Sequence, residues 1–215
     1  MPRGLQIDPI NVIGARMSEL SLPKHLPAMV LPLCAFLPHG LLPLHIFEER
    51  YREMLRHALF TDRIFCVAMK GEEPDGEVAG FGTAGLIRAC VRNADGTSNL
   101  LLQGLKRVRY LRWIEGRPFP EAEVEEVRTE VRDPVACRVW AGKIVEWACR
   151  LGGGQGLLCQ QFLDHLAGLD DPEPIADLVA SNFIRCPHRT QELVECRVLD
   201  DRIGIVRREM ARLAG

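Results

Sequence analysis

The 215-residue chain contains no apolar stretch approaching the ~18 to ~20 residues that a membrane-crossing helix requires. Its apolar pieces around Leu31 and Leu41 are broken by prolines and by the His39-Gly40 pair. Net charge is also nearly absent: 27 Lys and Arg against 29 Asp and Glu leave -2. That balance removes any global electrostatic pull toward nucleic acid or an anionic membrane surface. The amino terminus lacks a secretory pattern, because Arg3, Asp8 and Arg16 interrupt Met1 to Ser18. No C-x-x-C pair occurs among the eight cysteines. Without a secretory signal, Cys34, Cys66, Cys90, Cys137, Cys149, Cys159, Cys186 and Cys196 read as reduced thiols, most of them small buried hydrophobes. The expected setting is the cytoplasm, with no membrane contact.

Other chemistries lack a component. The glycine run Gly152 to Gly156 is followed by neither the lysine nor the hydroxyl of a phosphate-binding loop, so it reads as a helix-helix connection. Cys186-Pro187-His188 with Cys196 offers zinc-type ligands, but a fourth, such as Cys159 or His165, would have to arrive from elsewhere. No metal and no cofactor are expected.

What is present is organised. Met29 to Leu33 reads as a strand, Pro38-His39-Gly40 as a turn, and Leu41 to Ile46 as a second strand. A helix is expected to start near Phe47, with Phe47, Tyr51, Met54, Leu55 and Ala58 on its buried face. Further strands are expected over Arg63 to Met69, Phe81 to Arg88 and Ala122 to Val131. A hairpin at Asn93-Ala94-Asp95-Gly96 joins Leu86 to Val91 with Asn99 to Leu102, and the second arm continues to Ile114. After Asp133-Pro134 the period becomes helical, and Val135, Val139, Trp140, Ile144, Trp147, Ala148 and Leu151 are predicted to share one broad face. Trp140 and Trp147, seven residues apart, fit either a core seam or the face of a homodimer. Further helices follow over Leu157 to Leu166, from Asp171 to Phe183, and beyond Arg189. The expected division is an irregular segment over 1–28, a β-rich region over 29–132 and a helical region over 133–215.

The run L-P-L, a proline turn, then L-P-L-H-I-F-E-x-R-Y-x-x-M at Leu31 to Met54 resembles the amino-terminal, substrate-binding domain of Lon proteases. Gly82-Thr83, Asp95-Gly96 and Gln103-Gly104-Leu105-Lys106-Arg107 extend the likeness, as do Ile175 to Ala180 and Gln191 to Glu195. It spans about Met29 to Leu213, with Thr190 where a lysine is usual. The resemblance implies an α+β fold: a small PUA-like, mostly antiparallel β-barrel with an inserted helix, then a carboxyl-terminal α-helical bundle. It also implies a non-enzymatic role in recognising polypeptide, either unfolded substrate or protein partner.

Signature residues Pro32, Pro43, His45, Phe47, Glu48, Arg50, Tyr51, Gly82, Gly104 and Arg107 read as structural. His45 is expected to be satisfied near the helix start, Glu48, Arg50 and Tyr51 to fix the helix to the barrel, and Arg107 to pair with one of those carboxylates. Phe36, Leu37, Leu41 and Leu42, beside Pro38 and Pro43, are the peptide-binding candidates, although most such residues also suit a core. Two alternatives are weaker. The cluster Lys106-Arg107-Arg109-Arg112 with Tyr110 and Trp113 could face RNA, but strand alternation divides it between two faces. A peptidase would need a nucleophile, a base and oxyanion donors, and no motif supplies them. Residues 1–16 are expected to be dispensable, so a chain starting at Met17 should fold with unchanged circular dichroism and melting. Failure to fold would contradict that expectation.

Overall fold

The computed structural model describes residues 21–73, 75–152 and 157–214, so the expectations for residues 1–20 lie outside the described residues. Six strands come first: β1 His25–Pro32, β2 Leu41–Ile46, β3 Ile64–Lys70, β4 Val78–Arg92, β5 Ser98–Ile114 and β6 Glu121–Glu126. Helix α1, Glu49–Phe60, is inserted between β2 and β3. The strand order is β2-β5-β4-β3-β1-β6, and β6 returns to pair with β5, which nearly closes the sheet into a ring. Among these strands only β1 and β3 pair in parallel. The expected α+β, PUA-like barrel followed by helices is therefore the fold.

The ring depends on the length of β5. One edge of β5 is taken by β4; the other carries β2 along Ser98 to Gln103 and β6 along Val108 to Ile114. Register shifts at Ala84/Gly85, Ile87/Ala89 and Tyr110/Arg112 bend these long strands, as a closing sheet requires. The hairpin turn forms where expected: Asn93 N–H donates to Thr97 O, Gly96 adopts φ 84°, and Asp95 accepts from the Thr97 amide. Boundaries differ from expectation most at β1 and β6, while β4 starts at Val78 rather than Phe81 and the helix expected beyond Arg189 starts at Pro187. Strand β1 starts at His25 rather than Met29, because Pro27 is accommodated opposite Glu121. Strand β6 stops at Glu126 rather than Val131; beyond it, Glu130 bridges to Val198 in the helical region.

Alternation along β3 feeds two cores. Ile64 and Cys66 join Ala28, Ala84, Val108 and Ala122 inside the ring, whereas Phe65 and Val67 join Tyr51, Met54, Leu55 and Ala58 of α1 on the other face. Phe47 does not belong to that helical face. Helix α1 begins two residues later, and Phe47 projects outward, 63% exposed, stacked against His45 at 6.0 Å. Tyr51 does fix α1 to the barrel. Its hydroxyl donates to Val30 O at 2.8 Å and accepts from Val30 N–H at 3.2 Å, occupying the edge of β1 that β6 leaves free.

The helical region comprises α2 Pro134–Gly152, α3 Leu157–Ala167, α4 Pro172–Phe183, α5 Pro187–Glu195 and α6 Leu199–Ala214. Asp133 accepts from the Val135 and Ala136 amides and Asp171 from the Glu173 amide, so each caps a helix. The buried stripe of α2 is Cys137, Ala141, Ile144 and Ala148; Val135 and Val139, predicted on that stripe, face solvent. The broad sequence window admitted both stripes, and packing on α4 and α6 selects the one with small residues. Trp140 and Trp147 pack half-buried against the bundle, with the Arg207 guanidinium carbon 4.3 Å from the Trp140 ring centroid. None of the helices among the described residues is long and apolar enough to cross a membrane.

Replacing Tyr51 with Phe leaves the Val30 amide and carbonyl without their partner, an expected cost of about 1 to 3 kcal/mol. Urea denaturation should show a lowered midpoint at unchanged slope. An unchanged midpoint would contradict this role.

Candidate functional site

Four charged side chains meet where the barrel touches the helices. Arg107, 3% exposed on β5, donates from Nη1 and Nη2 to the two carboxylate oxygens of Asp177 on α4, at 2.8 and 2.6 Å. Its Nε donates to Leu193 O of α5 at 3.3 Å. On the far side of Asp177 lies Arg202 of α6, fully buried, with Nη1 3.6 Å from Asp177 Oδ1. Arg202 Nη2 donates to Glu173 Oε1 at 2.9 Å and Thr129 Oγ1 at 2.8 Å. Two guanidiniums thus face two carboxylates that supply their buried counter-charge, while Arg202 Nε and Nη1 find no hydrogen-bond partner among the described residues. Burial pulls the Arg107 pKa down, but Asp177, by charge and hydrogen bonds, and Glu173 more than reverse this and hold it above its ordinary value.

The expected pairing of Arg107 with a carboxylate of α1 is therefore corrected. Arg107 faces the helical region, whereas Glu48 pairs at the surface with Arg50, whose guanidinium lies over the Tyr51 ring. Asp177, Arg202 and Glu173 were not singled out in the sequence. The signal was there: a carboxylate inside Ile175-Ala176-Asp177-Leu178-Val179-Ala180 is expected only if paired.

The segment 33–40 between β1 and β2 rests on β5 beside this cluster. His39 N–H donates to Gly104 O and Gly104 N–H to Gly40 O, both at 2.9 Å, while Thr83 Oγ1 donates to Phe36 O. A Cβ on Gly104 would stand 2.3 Å from Leu37 O, so the signature glycine permits the backbones to touch. At Gly82 the equivalent obstacles are the Tyr110 hydroxyl at 2.2 Å and Val67 O at 2.4 Å.

All four peptide-binding candidates line one groove of about 230 Å³. Their roles differ. Phe36 and Leu37 are 5% and 1% exposed, their side chains committed to the α1 core and the helical core, so they form the floor and cannot supply contact surface as expected. The two residues are pulled inward because segment 33–40 crosses between both cores. Leu41 is 51% exposed and Leu42 half-buried, and these two remain accessible. The opposite wall is the corner between α4 and α5, with Ile184, Arg185, Pro187 and Thr190. Cys34 also lines the groove, and burial pushes its thiol pKa up. Pro43 is exposed on β2 and Pro32 at the end of β1, while His45 Nδ1 lies 2.8 Å from Asn99 Oδ1.

A second cleft of about 390 Å³ lies on the other side of segment 33–40, with His39, Lys106, Arg128, Asp171 and Glu173 giving it mixed charge. Burial lowers the His39 pKa, with Asp177 and Glu173 opposing. The basic cluster considered for RNA is divided and neutralised: Arg107 is buried, and Lys106, Arg109 and Arg112 pair with Glu126, Glu125 and Glu123 of β6. Among the described residues no three His, Cys, Asp or Glu side chains cluster to hold a metal ion.

Replacing Asp177 with Ala leaves two buried guanidiniums short of a counter-charge, with an expected destabilisation of about 3 to 5 kcal/mol in urea unfolding. A loss below about 1 kcal/mol, the level of a surface pair, would show that the cluster is not holding barrel and helices together.

The fold has counterparts among solved structures. The N-terminal domain of a Mycobacterium avium complex Lon protease superposes with a TM-score of 0.68 at 17% identity, covering 87% of this chain and 98% of that one. A Lon N-terminal domain protein from Xanthomonas campestris gives 0.62 at 20% identity, covering 85% and 96%. In sequence, Lon proteases of Dictyoglomus thermophilum and Desulfovibrio desulfuricans are 24% and 27% identical over 85% and 93% of this chain. The chain spans 24% and 23% of the length of these relatives. The family model of the ATP-dependent protease La (LON) substrate-binding domain matches residues 25–212, and the chain belongs to that family.

Proposed function

We propose that this chain is a non-catalytic recognition module that binds polypeptide, taking apolar segments of unfolded or partner proteins into the groove between segment 33–42 and the α4–α5 corner, and acting in the cytoplasm as a substrate-recognition or adaptor unit. The observation that carries the reading is the convergence of Leu41 and Leu42 with Pro187 on one accessible groove, floored by the buried Phe36, Leu37 and Ile184. The family's substrate-binding description supports it. The groove is small, and burying one leucine-sized side chain contributes about 1.5 to 3 kcal/mol, so binding at this site alone is weak and reversible. Such binding suits a module that samples many sequences and releases them to a partner.

The test is fluorescence anisotropy of a labelled, permanently unfolded polypeptide titrated with this protein, against the same label on the folded form. Saturable preference for the unfolded chain is expected. Leu41→Asp should weaken it about fivefold, the loss of about 1 kcal/mol of apolar contact, without altering melting because Leu41 is already half exposed. Equal binding of both forms, or undiminished binding by Leu41→Asp, would contradict the reading.

A further inference from the structure

The groove is not electrically neutral. Among the described residues no aspartate or glutamate lines it, and Arg185, exposed at the α4–α5 corner, makes no ion pair with any of them. The nearby Arg189 is different: Glu192 and Glu209 neutralise it, at 2.6 and 3.7 Å. The opposite wall, segment 33–37 with Leu41 and Leu42, carries no charge at all. The corner joins the C-terminus of α4 to the N-terminus of α5, whose opposite helix dipoles offset each other, so its positive sign rests on Arg185. One rim of a largely apolar groove thus holds a cation with no ion-pair partner among the described residues.

We infer that the preferred occupant is an extended polypeptide segment in which an aspartate or glutamate flanks a leucine-sized apolar residue, the apolar side chain lying between Leu41 and Pro187 and the carboxylate reaching Arg185. This rests on the polypeptide-binding reading and specifies its substrate class. The apolar contact supplies most of the affinity and the carboxylate supplies selection, since a rim-exposed ion pair discriminates modestly and is weakened by salt.

The experiment compares short disordered peptides, acetylated and amidated, with a central leucine pair flanked by Asp, Asn or Lys, by fluorescence anisotropy with the full chain. The Asp peptide is expected to bind about threefold more tightly than the Asn peptide, with the Lys peptide weakest and the differences shrinking at high salt. Arg185→Gln should abolish the preference and Arg185→Glu should invert it toward Lys; both should melt like the parent, since Arg185 is exposed. Equal affinity for the three peptides, with binding retained, would overturn this inference and leave the apolar groove standing. A fourth peptide, the Asn sequence with a free carboxyl terminus, separates a chain-end carboxylate: tight binding by it alone would overturn the inference in that favour. No binding by any peptide would overturn the polypeptide reading itself.

Discussion

The interaction on which the rest of the structure depends is the buried pairing of Arg107 with Asp177, completed by Arg202 and Glu173. It joins a strand of the barrel to α4 and α6, and through the Leu193 carbonyl to α5. Apolar contact between barrel and helices is made by Leu37, which enters the helical core, and by Phe81 of β4, which packs against it and whose carbonyl accepts from Gln191 Nε2 of α5. Hydrophobic burial has no directional preference, so it would permit the helices to slide on the barrel. A bidentate guanidinium-carboxylate pair does not, because its geometry fixes both distance and orientation. The groove has one wall from the barrel side and one from the helices, and the cluster is among the contacts that hold those two sides together.

The signature residues acquire physical meaning in the same frame. Gly104 allows segment 33–40 to lie directly on β5, and that contact places Leu37 in the helical core and Leu41 at the rim. Gly82 lets the Tyr110 hydroxyl reach Val67 O across the ring. Tyr51 supplies the hydrogen bonds that β1 lacks beyond its short pairing with β6. Each of these shapes the scaffold around the groove, and none of them lines it. The rim residues, Leu41 and Arg185 above all, are where recognition would be tuned. Thr190 lies in that same wall with its hydroxyl donating to Cys186 O.

Much of this is legible in the sequence, for local reasons. The Asp-Gly turn, the proline-started helices and the alternation of β3 to β5 depend on neighbours a few residues away, and the elements form where those signals lie. Sequence and structure diverge where tertiary packing decides. Pro27 has the look of an interruption but sits in the short β1–β6 pairing. Phe47 fits the period of α1 yet precedes its first turn, and Val135 and Val139 lose the buried stripe of α2 to Cys137 and Ala141. Arg107 reads as structural from its motif, but its partner lies 70 residues away, beyond any spacing rule. In the groove, hydrophobicity identifies Phe36, Leu37, Leu41 and Leu42; it cannot say that Phe36 and Leu37 turn inward while Leu41 stays at the surface.

If the Arg107–Asp177 cluster couples the barrel and the helices into a single cooperative unit, native-state hydrogen exchange will find the slowest amides of β3 and β5 and those of α4 and α6 opening with the same free energy. Arg107→Met is then expected to separate them, with the helices opening first. Helical amides that already exchange independently of the barrel in the unaltered protein would contradict that coupling.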